Sequence, residues 1–242
     1  MKLMVMIILS IGLFFSIPGS SHALLTFFGE DLGSLDANST LTNSDATQAS
    51  FLSNLIGVGT EDFESISVGS TAPLTLDFGV DTATLNGSGT IRDDFPVSPA
   101  GRFPTSGTHY WSTNSTDNNF RIDFSSPQAA FGFYGTDVGD FEGQLLLSLT
   151  NGTTTDVPIP HTIDSPNASA IYFGVIATES SELFSSLIFD STAGDDFFGF
   201  DDMTIGRLEQ VKDPGAPIPE PSTMILLGSG LVGLYGFRKK YK

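Results

Sequence analysis

The chain has 242 residues, no cysteine and only three histidines. Disulfides, thiol catalysis, cysteine-zinc sites and histidine-rich metal centres are therefore excluded. Residues 24–218 hold 27 of the 28 acidic residues but only five of the ten basic ones, which gives this part a net charge of −22. A surface of that charge repels nucleic acid and anionic membranes and attracts divalent cations.

The first 23 residues have the organisation of a secretory signal peptide. Lys2 supplies a positive charge, residues 3–17 form an apolar run, and the small residues Ser21 and Ala23 follow. This pattern predicts export and cleavage after Ala23, so that the mature chain begins near Leu24. An uncleaved N-terminal anchor is the alternative, but the apolar run is short and a small-residue site follows it.

Residues 24–59 are predicted to form an N-terminal extension made of one strand and one helix. The strand covers residues 24–29. Ser44 and Asp45 supply an N-cap, and Gly57 ends the helical pattern, so we expect a short helix over residues 46–56. We expect it to be the only helix of the exported body, with one apolar face made of Ala49, Leu52, Leu55 and Ile56.

From residue 60 to residue 208 the apolar residues recur with the period of two that is typical of strands. Residues 74–78 and 120–124 alternate most clearly, and further strands are predicted at residues 131–133, 145–149, 171–176, 187–189 and 198–200. Gly, Asn, Asp, Pro and Ser separate them, without intervening helices. The pattern predicts an all-β fold, specifically an antiparallel jelly-roll sandwich, followed by a proline-containing linker at residues 209–218.

The last 24 residues combine three parts. Pro219-Glu220-Pro221 forms a stiff extended strip, residues 222–237 are predicted to be a transmembrane helix, and Arg238, Lys239 and Lys240 follow directly. The apolar run of residues 223–237 is roughly 22 Å long as a helix, shorter than the ~30 Å hydrocarbon core. The basic end stays in the cytoplasm by the positive-inside rule, which places the body on the periplasmic side.

This order of parts in residues 219–242 resembles the PEP-CTERM sorting signal of Gram-negative bacteria that make exopolysaccharide. The resemblance implies that a membrane protease-transpeptidase, exosortase, recognises the tail and removes it. The protein would then be anchored in the inner membrane only transiently and would end at the cell surface or in the extracellular matrix, beside extracellular polysaccharide. An ordinary single-pass C-terminal anchor is the alternative.

Two acidic segments belong to the two terminal strands of the predicted sandwich. Phe63-Glu64 stands at its first strand and Asp201-Asp202 in its last. This arrangement resembles galactose-binding-like and carbohydrate-binding jelly rolls, in which the two segments share a structural Ca²⁺ ion. Because side chains alternate along a strand, we expect one of Asp201 and Asp202 to face Glu64 and the other to be solvated. Plain edge carboxylates are the alternative.

A second possible Ca²⁺ site is the loop at residues 135–142, which contains Asp137 and Asp140. Alternating Asp and Gly residues can wrap a calcium ion. The same residues are also typical of any tight acidic turn.

Arg102, Tyr110, Trp111 and Asn114 form a candidate sugar-binding set. Aromatic rings stack on the apolar faces of sugars, and the polar partners then fix the orientation of the ligand. The alternative is that Trp111 belongs to the core.

No catalytic residues are predicted. A body with so many carboxylates contains close pairs by chance, and no serine has a nucleophile-elbow sequence around it. The expected role is non-enzymatic, structural or adhesive, with weak binding of matrix glycan. The competing hypothesis is a secreted glycan hydrolase.

Overall fold

The computed structural model describes residues 24–93, 101–114, 120–138, 144–150, 152–163, 169–192 and 197–212. These residues form thirteen strands and one α-helix, with the strands in two antiparallel sheets. The predicted all-β antiparallel sandwich with one helix is therefore confirmed. The predicted signal peptide (1–23) and the predicted transmembrane helix of the tail (222–237) lie outside the described residues. Within the described ranges, no helix is long and apolar enough to cross a membrane.

The strands and the helix are named in chain order. They are β1 (Leu25–Leu32), α1 (Thr42–Ser53), β2 (Thr60–Glu61), β3 (Leu74–Asp77), β4 (Thr82–Gly87), β5 (Thr90–Arg92), β6 (Tyr110–Asn114), β7 (Phe120–Gln128), β8 (Ala130–Thr136), β9 (Leu145–Thr150), β10 (Thr154–Pro158), β11 (Ser169–Ile176), β12 (Phe184–Ser191) and β13 (Phe197–Gly206). Short 3₁₀ turns lie at Ser180–Glu182 and Leu208–Gln210.

The first sheet has the strand order β1-β11-β8-β13-β6-β5, with β2 also paired to β13. The second sheet has the order β10-β9-β12-β7-β4-β3. All strand pairs are antiparallel. β1 stands at the end of the strand order, so it is an edge strand of the first sheet, and it pairs with β11 along its whole length.

Phenylalanine rings fill the space between the two sheets. The rings of Phe120, Phe133, Phe189 and Phe200 pack together, with centroid separations from 4.9 Å for Phe120–Phe189 to 5.9 Å for Phe189–Phe200. Strand alternation directs these rings to the inner faces. Each fully buried phenylalanine stabilises the fold by about 1.5–3 kcal/mol, so an aromatic core substitutes for the missing disulfides.

The helix begins four residues before the position predicted from its sequence. The carboxylate of Asp31, at the end of β1, accepts hydrogen bonds from the backbone N–H groups of Asn43 (3.0 Å) and Ser44 (2.9 Å). The first turn is therefore satisfied by a side chain from a neighbouring strand rather than by a local cap. A local sequence pattern contains no sign of such a cap.

The predicted apolar face of the helix is correct only in part, because Leu55 is buried and Leu52 packs against the same cluster, whereas Ala49 and Ile56 are exposed. Phe51 is the buried anchor of α1, whereas Ile56 is 58% exposed. Phe51 packs against Tyr172 on the outer face of the first sheet, where Gly132 and Gly174 leave room for its ring. A Cβ at Gly174 would lie 2.6 Å from the Phe51 ring. The helix thus adds a second small core outside the sandwich.

The end of the body is attached to this helix. Val211 forms an isolated bridge with Leu55, and the N–H of Lys212 donates to the carbonyl of Asn54 (2.8 Å). The first residues of the predicted linker, 209–212, are therefore part of the folded body.

Candidate functional site

Three carboxylates hold the segment of residues 101–109, which leads into β6. Asp201, on β13, accepts hydrogen bonds through Oδ2 from the backbone N–H (2.7 Å) and hydroxyl (3.0 Å) of Thr105. The N–H of Ser106 donates to the same oxygen (3.3 Å). Asp202 accepts from the Ser106 hydroxyl (2.8 Å) through Oδ1, and its Oδ2 lies 3.2 Å from the Thr105 hydroxyl oxygen, whose single hydrogen the two aspartates share. We call Glu64, Asp201 and Asp202 the carboxylate clamp.

Both aspartates of the clamp are buried, Asp201 with 1% and Asp202 with 8% of its surface exposed. The prediction that one of them is solvated is wrong. The pairing of β13 with β8 shifts register between Asp201 and Thr204, and Asp202 has a φ of +47°. This bulge interrupts the alternation of side chains and lets both carboxylates reach the same loop.

Glu64 holds the other end of the segment. Its Oε1 accepts the N–H groups of Thr108 (2.6 Å) and His109, and its Oε2 accepts the Thr108 hydroxyl (3.1 Å). β2 lies just before Glu64 and pairs with β13 through Glu61 and Met203, so Glu64 and the two aspartates belong to neighbouring parts of the first sheet.

The clamp oxygens meet N–H and O–H donors, which are the groups that would compete with a cation. In the part of the chain that the structure describes, no three Asp, Glu or His side chains are grouped closely enough to hold a metal ion. The Ca²⁺ site at Glu64, Asp201 and Asp202 remains a prediction.

The electrostatics of the clamp differ at its two ends. Burial, followed by the neighbouring charge of Asp202, raises the pKa of Asp201 well above its usual range. The pKa of Asp202 is also raised, mainly by burial. Burial acts in the same direction on Glu64, but the donors of Thr108 and His109 outweigh it and lower its pKa. The aspartate pair therefore disfavours a second negative charge, whereas Glu64 is held ionised.

Asp137, proposed as a calcium ligand, lies beside a guanidinium group. Its Oδ2 is 3.9 Å from Nε of Arg102, and its side chain is buried. A neighbouring cation opposes the binding of Ca²⁺ at this carboxylate. Asp140, the other proposed ligand of this loop, lies outside the described residues.

Arg102 also contacts an aromatic ring that the sequence prediction left out. Its Cζ lies 5.2 Å from the ring centroid of Phe197, which is 47% exposed. Phe197 pairs with Asn114 across β13 and β6. The structure thus brings Arg102 and Asn114 together around Phe197. Strand alternation could have found this ring, because the neighbouring Phe198 faces the core.

Tyr110 and Trp111, the aromatic members of the predicted sugar-binding set, are both buried. Alternation along β6 directs Trp111 into the sandwich core. Tyr110 lies near Gly199, where the carbonyl of Phe103 from the clamped segment also approaches. Neither ring presents a face to a ligand, and for Trp111 the core alternative describes its position.

The described residues define an all-β sandwich with a carboxylate-clamped loop and one exposed aromatic ring at the end of the first sheet. Residues 217–240 match the model of the PEP-CTERM protein-sorting motif, so the chain carries this sorting motif. The motif implies export and a C-terminal membrane anchor before processing.

Three solved structures are similar to part of the chain. The K2 cleaved adhesin domain of Lys-gingipain is 13% identical, with a TM-score of 0.33 over 61% of this chain and 97% of that one. The carbohydrate-binding module TmCBM61 in complex with β-1,4-galactotriose is 14% identical, with a TM-score of 0.28 over 60% and 94%. A variant of CBM29-2, a family 29 carbohydrate-binding module, is 13% identical, with a TM-score of 0.27 over 55% and 99%. Similarity at this level says nothing about what this chain binds. No curated protein matches the chain.

Proposed function

We propose that this chain is an exported, non-enzymatic structural or adhesive protein whose jelly-roll sandwich binds extracellular polysaccharide weakly. The observation that carries the proposal is the sorting motif at residues 217–240. Exosortase is the proposed processing partner. The inner membrane holds the body transiently on its periplasmic side, before release to the cell surface or the extracellular matrix.

The proposed glycan site is the exposed ring of Phe197 with Arg102 and Asn114 beside it. Its chemistry supports sugar binding, because an aromatic face packs on the apolar face of a pyranose while an amide and a guanidinium can bind hydroxyl groups. A single exposed ring fits a weak interaction of the kind that multivalent matrix contacts can use.

One observation favours the alternative, a glycan hydrolase. The raised pKa of the Asp201–Asp202 pair is a property of general acids in glycosidases. Both carboxylates are nevertheless buried and hydrogen-bonded to Thr105 and Ser106, which supports a structural role instead.

Retention on polysaccharide tests the proposal. Residues 24–242, purified in detergent, are incubated with the exopolysaccharide of the host, and both retained protein and polysaccharide length are measured. We expect retention without shortening, and a roughly fivefold loss of affinity for Phe197→Ala, since one stacked ring contributes on the order of 1 kcal/mol. Leu32→Ala, at another exposed apolar side chain, is the matched control. Shortening of the polysaccharide would establish the hydrolase instead.

Processing tests the sorting step. Glu220→Ala should leave a larger protein in the inner membrane, seen as a size shift and a change of fraction on blotting. Unchanged size and location would reduce the tail to a simple anchor.

A structural Ca²⁺ ion at the clamp is part of the proposal. The dense negative charge of the body and the raised pKa values of Asp201 and Asp202 support it, because a cation offsets the repulsion between the two carboxylates. We expect Ca²⁺ to raise the melting temperature and chelator to lower it, with the difference lost in Asp202→Asn and reduced in Glu64→Ala. Equal melting curves with Ca²⁺ and with chelator would eliminate the ion.

A further inference from the structure

A cavity lies at the edge of the sandwich where the β9–β10 hairpin meets the turn before β12. Its volume is about 440 Å³. Its lining consists of four apolar residues, three hydroxyl-bearing residues and Glu182; these are Leu24, Leu149, Leu183, Phe184, Thr153, Thr155, Ser181 and Glu182. A carboxylate in such surroundings points to an occupant that carries positive charge.

The two oxygens of Glu182 have different environments. Oε2 accepts the N–H (2.8 Å) and hydroxyl (3.3 Å) of Thr178 and the N–H of Glu179 (3.2 Å). Oε1 is buried and has no hydrogen-bond partner in the described ranges of the chain. A buried carboxylate oxygen without a partner is costly, so this site lacks a donor.

The start of β1 brings Leu24 to the same cavity. Leu25 pairs with Ile176, and continuing this antiparallel register places Leu24 opposite Ala177. The next residue, Thr178, is the one whose N–H binds Glu182. Leu24 is therefore beside the glutamate at the cavity edge, and it is also the predicted first residue after signal cleavage.

We propose that Glu182 and its cavity bind the α-ammonium group of Leu24 in the mature chain. In the precursor this nitrogen is an amide joined to Ala23 and carries no charge. Cleavage of the Ala23–Leu24 bond creates a cation one residue from the end of the β1–β11 ladder, beside the oxygen that lacks a donor. Removal of the signal peptide thereby allows an ion pair between the Leu24 ammonium group and the Glu182 carboxylate at the edge of the sandwich. This inference rests on the export step of the proposed function and not on glycan binding.

The test measures the melting temperature of residues 24–242 with a free Leu24 amine and with an acetylated Leu24 amine. Both forms are prepared with the native Glu182 and with Glu182→Gln. Acetylation should lower the melting temperature by about 2–4 °C, the size expected for one half-buried ion pair in a chain of this length. It should have no effect in Glu182→Gln. Glu179→Gln, the neighbouring exposed carboxylate, is the control and should behave as the native chain. Equal losses in all three backgrounds, or none in the native chain, would overturn the proposal.

A second variant tests the same point with Glu182 intact. A chain that retains Ala23 moves the ammonium group by about 3.3 Å and should show the same loss as acetylation. An unchanged melting temperature would contradict the pairing.

The pH dependence has a defined sign. A nearby carboxylate raises the pKa of an α-ammonium group above its ordinary 7.7–8.0. The stabilisation should thus be complete below about pH 7.7 and be lost as the pH rises through the raised pKa of the folded chain. Mass spectrometry of the exported protein tests the cleavage site separately. If the mature chain begins at Leu24 but acetylation has no effect, only the binding of the ammonium group by Glu182 is refuted. If the mature chain begins at another residue, the predicted cleavage site is refuted too.

Discussion

Replacement of Asp201 by alanine tests whether the carboxylate clamp holds the segment of residues 101–109. Asp201 accepts two hydrogen bonds from Thr105 and one each from Ser106 and from the N–H of Asp202. Each buried donor left without an acceptor costs about 1–3 kcal/mol. Thr105 and Ser106 are half-buried, so water can replace part of the loss, and removal of a buried charge beside Asp202 offsets another part. We expect a net loss of about 3 kcal/mol.

In a domain of this size that loss corresponds to a melting temperature lower by about 6–12 °C. The free energy of unfolding is measured by urea titration of residues 24–242 in detergent at pH 7. Asp201→Asn keeps an acceptor oxygen and should lose about 1 kcal/mol. Asp156→Ala removes an exposed carboxylate from β10 and should stay within about 0.5 kcal/mol of the native chain. If Asp201→Ala costs no more than Asp156→Ala, the clamp does not hold the loop.

Three further predictions concern charge and packing. Hydrogen bonds from Arg207 lower the pKa of Asp81 to about 2. Arg207→Gln should therefore lower the melting temperature at pH 7, and the difference from the native chain should disappear as the pH falls from about 4 towards 2, where Asp81 becomes protonated. Burial raises the pKa of Asp202, so the stability that its protonated carboxyl contributes is complete below about pH 4 and declines as the pH rises through the raised pKa. In Asp202→Asn the free energy of unfolding should decline less over this range. A Cβ at Gly29 would collide with the carbonyl oxygen of Asn43, so Gly29→Ala should displace the helix and cost several kcal/mol, measurable by urea unfolding.

The second sheet shows how far strand periodicity can be used. The alternation of residues 74–78 and 120–124 predicts two strands, and the structure has β3 and β7 at these positions. Strands β4 and β10 of the same sheet are not among the predicted strands. They are short and rich in threonine, with few large apolar residues to show a period. Such strands are decided by their neighbours in the sheet, which supply the backbone partners.

The candidate site shows where local reasoning ends. The sequence placed Phe63-Glu64 and Asp201-Asp202 at adjacent strands, and β2 does pair with β13. It could not show that Asp202 lies in a bulge or that the carboxylates hold a loop almost a hundred residues away, at Thr105. Bulges and loop contacts depend on the register of three strands at once.

The sequence by itself determined what depends on local chemistry. The alternation of Phe with polar residues specifies an all-β sandwich, and the order of Pro219-Glu220-Pro221, an apolar run and a basic end specifies the sorting motif. Only the tertiary structure decided which rings and carboxylates are accessible: Trp111 is buried, Phe197 is exposed, and both Asp201 and Asp202 face inward. The physical reason is that burial is a property of the packed neighbours, and these come from distant parts of the chain.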